Sequence, residues 1–80
     1  MPQVEVIWTD GPDGNIAHLE EHGVSPEEAQ EVLREPVALD VSRSSGRPIA
    51  FGITSSGRHL AVVFERLDRV TVYPITAYEV

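Results

Sequence analysis

Apolar and polar residues alternate most clearly between Pro48 and Glu65, in the stretch PIAFGITSSGRHLAVVFE. Ile49, Phe51 and Ile53 form one period-2 run. Leu60, Val62 and Phe64 form another, across the break Ser55-Ser56-Gly57-Arg58. Two such runs around a Ser-Gly turn predict a β-hairpin. Closing it with Ser55 opposite Arg58 sets Ile53 against Leu60 and Phe51 against Val62, so that both strands offer one apolar face. A slip of one residue would destroy that match.

The same pattern places the other elements. Val4-Glu5-Val6-Ile7-Trp8 alternates and predicts a first strand. The breaker cluster 9–14 follows, with Thr9 or Asp10 as a helix cap and Pro12 in the first turn. A short helix then runs to His22, and Gly23 suits the position just past its end. Ser25-Pro26-Glu27-Glu28 reads as a capping box with proline at the first helical position, opening a helix that Glu35-Pro36 ends. Val24 and Ala29 form a hydrophobic staple across its start. Residues 37–42 predict a looser strand and residues 43–48 a loop. Arg69 to Tyr73 predicts a last strand with Phe64 against Val70, Val62 against Val72 and Glu65 against Arg69. Asp68 then takes a left-handed turn position, and Pro74 stands at an edge or at the strand's end.

The sum is a single α+β domain over residues 1–80, ordered β-α-α-β-β-β-β, with two helices packed on one face of a mostly antiparallel sheet. Its expected core is Val6, Trp8, Leu19, Ala29, Val32, Leu33, Ile49, Phe51, Ile53, Leu60, Val62, Phe64, Val70 and Val72.

Charge changes the functional picture more than the fold. The net charge is −7, without a lysine. Residues 1–40 hold ten acids against Arg34, whereas residues 41–80 hold three acids against five arginines. A protein that grips phosphate backbones normally shows a basic face, and here only the C-terminal half offers one. There is no cysteine, hence no disulfide framework and no Cys-based zinc site, which fits a cytoplasmic protein. Met1 to Glu5 lacks the regions of a signal peptide, and no apolar run approaches the length of a membrane span.

Several motifs together resemble the BrnT family of small ribonuclease toxins with a RelE-like fold. They are Val6-Ile7-Trp8, Ala17-His18-Leu19-Glu20-Glu21-His22-Gly23-Val24 leading into Pro26-Glu27-Glu28-Ala29, Glu35-Pro36, Gly57-Arg58-His59-Leu60-Ala61-Val62-Val63-Phe64, and the final strand to Ala77. The resemblance implies a toxin–antitoxin setting, a metal-independent endoribonuclease without cofactor, and an antitoxin-like protein partner. It also implies a basic residue before the first helix and an arginine near the end of the last strand. This sequence has Asp13-Gly14-Asn15 and Ile75-Thr76-Ala77 there. The family's last helix has no counterpart in residues 1–80.

Metal-independent RNA cleavage needs a base, an acid and cations around the phosphorane. On that reading Arg58 and Arg47 hold phosphate with Arg69 beside them, and His59 or His22 moves a proton. Each residue also has an ordinary reading: Arg58 and His59 as solvated positions, His22 as a helix-end residue, Glu65 and Arg69 as a cross-strand ion pair. His18 and His22 have metal-ligand spacing but no third ligand. The alternative function is a non-catalytic relative that binds a protein or forms a homodimer, motivated by the acidic charge and the apolar, aromatic run Tyr73 to Tyr78.

Overall fold

The computed structural model describes residues 3–80; Met1 and Pro2, on which the signal-peptide reading partly rests, lie outside the described residues. The elements are β1 (Glu5–Val6), α1 (Asn15–Glu21), α2 (Pro26–Arg34), β2 (Ala38–Val41), β3 (Pro48–Ile53), β4 (His59–Arg66) and β5 (Thr71–Glu79). They build one five-stranded sheet in the order β1-β5-β4-β3-β2. Only β1 and β5 run parallel. The α+β class and the mostly antiparallel sheet are thus as expected.

Local chemistry accounts for both helices. In α2 the Ser25 hydroxyl accepts from the Glu28 amide, while the Glu28 carboxylate accepts from the Ser25 amide. Pro26 occupies the first turn, where no hydrogen bond is lost. Helix α1 is shorter than the sequence suggests. It starts at Asn15 because Gly14, not Thr9 or Asp10, is its N-cap residue. Thr9 nevertheless contributes from outside, its hydroxyl accepting from the Asn15 amide and its carbonyl from the Ile16 amide. At the far end Gly23 takes φ +75°, and the amides of Gly23 and Val24 return to the carbonyls of Glu20 and Leu19. That double closure ends the helix and turns the chain into α2.

The central hairpin forms, but one residue out of the expected register. Ile53 faces His59, Gly52 faces Leu60, Phe51 faces Ala61 and Ala50 faces Val62. The connection is the three-residue loop Ser55-Ser56-Gly57, with Gly57 at φ +89°, rather than a two-residue Ser-Gly turn. One extra loop residue turns β3 over relative to β4. Ala50, Gly52, Leu60, Val62 and Phe64 therefore face the helices, where Val4, Leu19, Val24, Ala29, Val32, Leu33, Val72 and Ala77 complete the main core. Trp8 and Val6 pack against it half-buried. Ile49 and Phe51 move to the opposite face, with Ala61, Val63 and Ile75. Ile53 is half exposed, as is Val70.

The last strand also departs from expectation. Arg66 pairs with Val72, Glu65 with Tyr73 and Phe64 with Pro74, four positions from the expected register. The Asp68 carboxylate accepts the amides of Val70 and Thr71, so residues 67–70 are spent in the turn. Asp68 therefore acts through its side chain and not through a left-handed backbone: no described non-glycine residue has positive φ. Glu65 and Arg69 are not among the ion pairs of the described residues. β5 continues past Pro74 to Glu79, with a bulge opposite Val63 and Phe64. β1 pairs with β5 only as far as Val72, so the proline, which has no amide to donate, sits where no strand pairs along the outer side of β5.

Candidate functional site

The hairpin turn is bolted to α2 by two carboxylates. Arg58 Nη1 donates to both oxygens of Glu28 at 2.8 Å and to the Gly23 carbonyl at 3.0 Å; Nη2 lies 3.6 Å from Glu79 Oε1. One turn further along α2, Glu31 accepts from the Ser55 amide at 2.8 Å and from its hydroxyl at 3.3 Å. Arg58 thus ties the α1–α2 corner, the start of α2, the β3–β4 turn and the end of β5 to one another. Its guanidinium already faces two carboxylates, which leaves it a weak claim on a phosphate.

The same contacts act on protonation. The Ser25 amide, together with Arg58, holds the Glu28 carboxyl below its ordinary value of 4.5 against the opposing effect of burial. Glu28 and Glu79 raise Arg58 above its own ordinary value. A depressed carboxyl contributes stability above its unfolded-state pKa and loses it as pH falls through the folded value. Wild type should therefore lose stability relative to Glu28→Gln once pH drops below about 4.5, the glutamate's ordinary value. Asp68, also depressed by the amide of Val70 and by Thr71, contributes equally to both proteins and cancels. Urea unfolding across the acid range measures the difference; parallel curves for the two proteins would refute it.

The remaining candidate residues do not converge on Arg58. His59 pairs with Ile53 on the face away from the helices, while Arg58 reaches into the helix side. His22 ends α1 next to Gly23, whose carbonyl Arg58 holds, and its ring is exposed. Arg47 lies in the β2–β3 loop, at the other end of β3 from Arg58. Six residues of strand separate them, roughly 20 Å. Arg69 is in the β4–β5 loop, at the same end as Arg47. The candidates therefore divide between two ends and two faces. His18 lies 3.8 Å from Glu21, and no three metal-ligating side chains cluster among the described residues.

Two features were not legible as sites in the sequence. Asn15 is buried between the end of β1, the start of α1 and β5, donating to the carbonyls of Ile7 and Pro74 and accepting from the Thr9 amide. The second is the flank of β2. The helices lie over β5, β4 and β3 and stop short of β2. Leu39 and Val41, opposite Ala50 and Pro48, point to the helix side of the sheet yet are 58 and 59 % exposed, and Val37, just before the strand, is 70 % exposed. A groove runs beside them, lined by Glu27, Gln30, Glu31, Arg34, Glu35, Val37 and Ile53. The signal for this flank was present in the i, i+2 spacing of Val37, Leu39 and Val41, which alternation alone assigns to a core as readily as to a surface. No described helix is long and apolar enough to cross a membrane. No protein-family model matches the chain, and neither the curated proteins nor the solved structures contain a match.

Proposed function

We propose that the chain is a non-catalytic protein-binding module built on a BrnT/RelE-like toxin-family plan, with an antitoxin-like protein or another polypeptide as its ligand. The observation that carries this reading is the bare β2 flank: Leu39 and Val41 exposed side by side on an edge strand, with Val37 exposed just before it in the wall of a groove. Exposed apolar surface rimmed by polar residues is a common mark of a protein interface, and an unpaired strand edge invites a partner's backbone. An RNA-cleaving site would instead gather cations and proton carriers around one phosphate. Here Arg58 is held by carboxylates, His59 faces the other side, and Arg47 and Arg69 stand at the far end.

Incubation of the purified protein with RNA tests the choice. The expected result is no cleavage above background, with wild type and Arg58→Ala indistinguishable. Cleavage that disappears in Arg58→Ala or His59→Ala, with both variants folded, would restore the nuclease reading.

RNA as a bound ligand, not a substrate, has one observation in its favour. The two loops at the far end of the sheet bring Arg43, Arg47, Arg66 and Arg69 to one side of the molecule. Arg47→Glu with Arg69→Glu should abolish such binding and its salt dependence while leaving the β2 flank unaffected.

A further inference from the structure

The flank of β2 carries more information than its exposure. β2 pairs with β3 alone, in the register Ala38–Phe51, Leu39–Ala50, Asp40–Ile49 and Val41–Pro48. The Ser42 amide donates to the Arg47 carbonyl in that same register. Alternation of the ladder then turns Asp40 towards β3 and the backbone groups of Leu39 and Val41 outward. The Val41 amide is met by the Asp40 carboxylate of its own strand at 2.8 Å. The outer edge is therefore a usable template, one of whose donors is satisfied only by a side chain that another strand's carbonyl would replace.

We infer that β2 accepts an extended segment of a different protein as a sixth strand, and that this segment is aliphatic and basic. The inference rests on the protein-binding reading above and names its partner class. Backbone pairing accounts for the extended conformation. Leu39 and Val41 call for aliphatic side chains on the helix side of the added strand. The basic character follows from charge complementarity at both faces. Asp40, on the opposite face, is released from the Val41 amide when the incoming carbonyl takes its place. On the helix side Glu27 and Glu35 border the groove, and Arg34 is the one base in its lining. Lysine or arginine side chains are long enough to reach either rim while their stems cover the aliphatic strip. A second copy of this chain is the wrong occupant, because it would bring the same acidic rim and a further charge of −7 to the interface.

The probe is a labelled peptide of alternating lysine and valine with one terminal valine replaced by lysine, so that lysines stand on both faces of the added strand, its binding read by fluorescence anisotropy. The same peptide with glutamate for lysine serves as control. The lysine peptide should bind and the glutamate peptide should not. Leu39→Ser alone, and Glu27→Lys with Glu35→Lys, should each weaken binding by about tenfold or more. Asp13→Lys with Glu20→Lys changes the net charge equally, away from the flank, and should leave affinity within about twofold. Equal weakening by both charge reversals would reduce the effect to bulk charge and overturn the inference, as would absence of binding by the lysine peptide. Sedimentation separates the two readings. A dimer that Leu39→Ser dissolves would overturn the foreign-partner inference and leave the protein-binding module standing. No peptide binding together with a monomer at every concentration would remove the support for both.

Discussion

Asn15→Asp, a change of one atom group, is expected to cost about 3–5 kcal/mol at neutral pH, a large part of the stability of a domain this small. The amide orientation follows from its partners. Nδ2 donates to the Ile7 carbonyl at 2.9 Å and to the Pro74 carbonyl at 3.1 Å, and Oδ1 accepts from the Thr9 amide at 2.9 Å. Aspartate would aim a carboxylate oxygen at two carbonyls and bury its charge without a cation. Two orphaned carbonyls alone cost about 1–3 kcal/mol each. The side chain also joins the end of β1, the start of α1 and β5, so its loss releases three elements together. The pH dependence distinguishes charge from shape. Burial raises the folded-state pKa of the new aspartate, so its penalty is full above that value and shrinks as pH falls, when the protonated acid regains one donor. Urea unfolding near pH 7 and near pH 5 should show the variant recovering on acidification, unlike wild type and unlike Asn15→Ala. An Asp variant within about 1 kcal/mol of wild type at pH 7 would refute the account. If the variant does not fold there, the pH-independent deficit of Asn15→Ala measures the hydrogen bonds by themselves.

What was legible in the sequence were the elements whose signals are local. Ser25-Pro26-Glu27-Glu28 announced α2 and Gly23 announced the end of α1, because caps depend on residues within one turn of each other. Register was not legible, and the reason is specific. Both faces of the central hairpin are apolar, Leu60, Val62 and Phe64 on one and Ala61 and Val63 on the other, so alternation could not tell which faces the helices. Size suggested that Ile49, Phe51 and Ile53 point inward. The helix layer requires the reverse, because α2 lies so close to β3 that a Cβ on Gly52 would stand 3.1 Å from a Val32 methyl. Small residues belong at that approach, and Ala50 and Gly52 provide them. The candidate site failed to assemble for a related cause. Arg58 meets Glu28 across thirty residues of sequence, and whether a turn arginine is solvated or paired depends on where a distant helix starts. The edge of β2 was visible as a strand, but its bareness was not, since only the packed structure reveals which strands two helices leave uncovered.

Gly14→Ala is expected to destabilise by about 3 kcal/mol, although alanine tolerates the backbone there. Gly14 has φ −77° and ψ 162°, ordinary extended values, so the obstacle is space, not conformation. A Cβ would stand 2.6 Å from the Asp10 carbonyl oxygen and nearer still to that of Thr9. Both are backbone atoms, which no rotamer change can move aside. Relief requires the 9–14 loop to open, and that loop carries the Thr9 hydroxyl and amide that meet Asn15. The two positions therefore belong to one cooperative unit, and their effects should not add. Once Gly14→Ala has displaced Thr9, Asn15 has already lost one of the partners that Asn15→Ala would remove, leaving its bonds to the Ile7 and Pro74 carbonyls. The double variant Gly14→Ala/Asn15→Ala should be more stable than the sum of the single losses implies by about 1 kcal/mol or more. Denaturant unfolding of the four proteins in that cycle measures the coupling. Additivity within about 0.5 kcal/mol would mean that loop closure and the Asn15 hydrogen bonds are independent, and that the glycine serves the helix start alone.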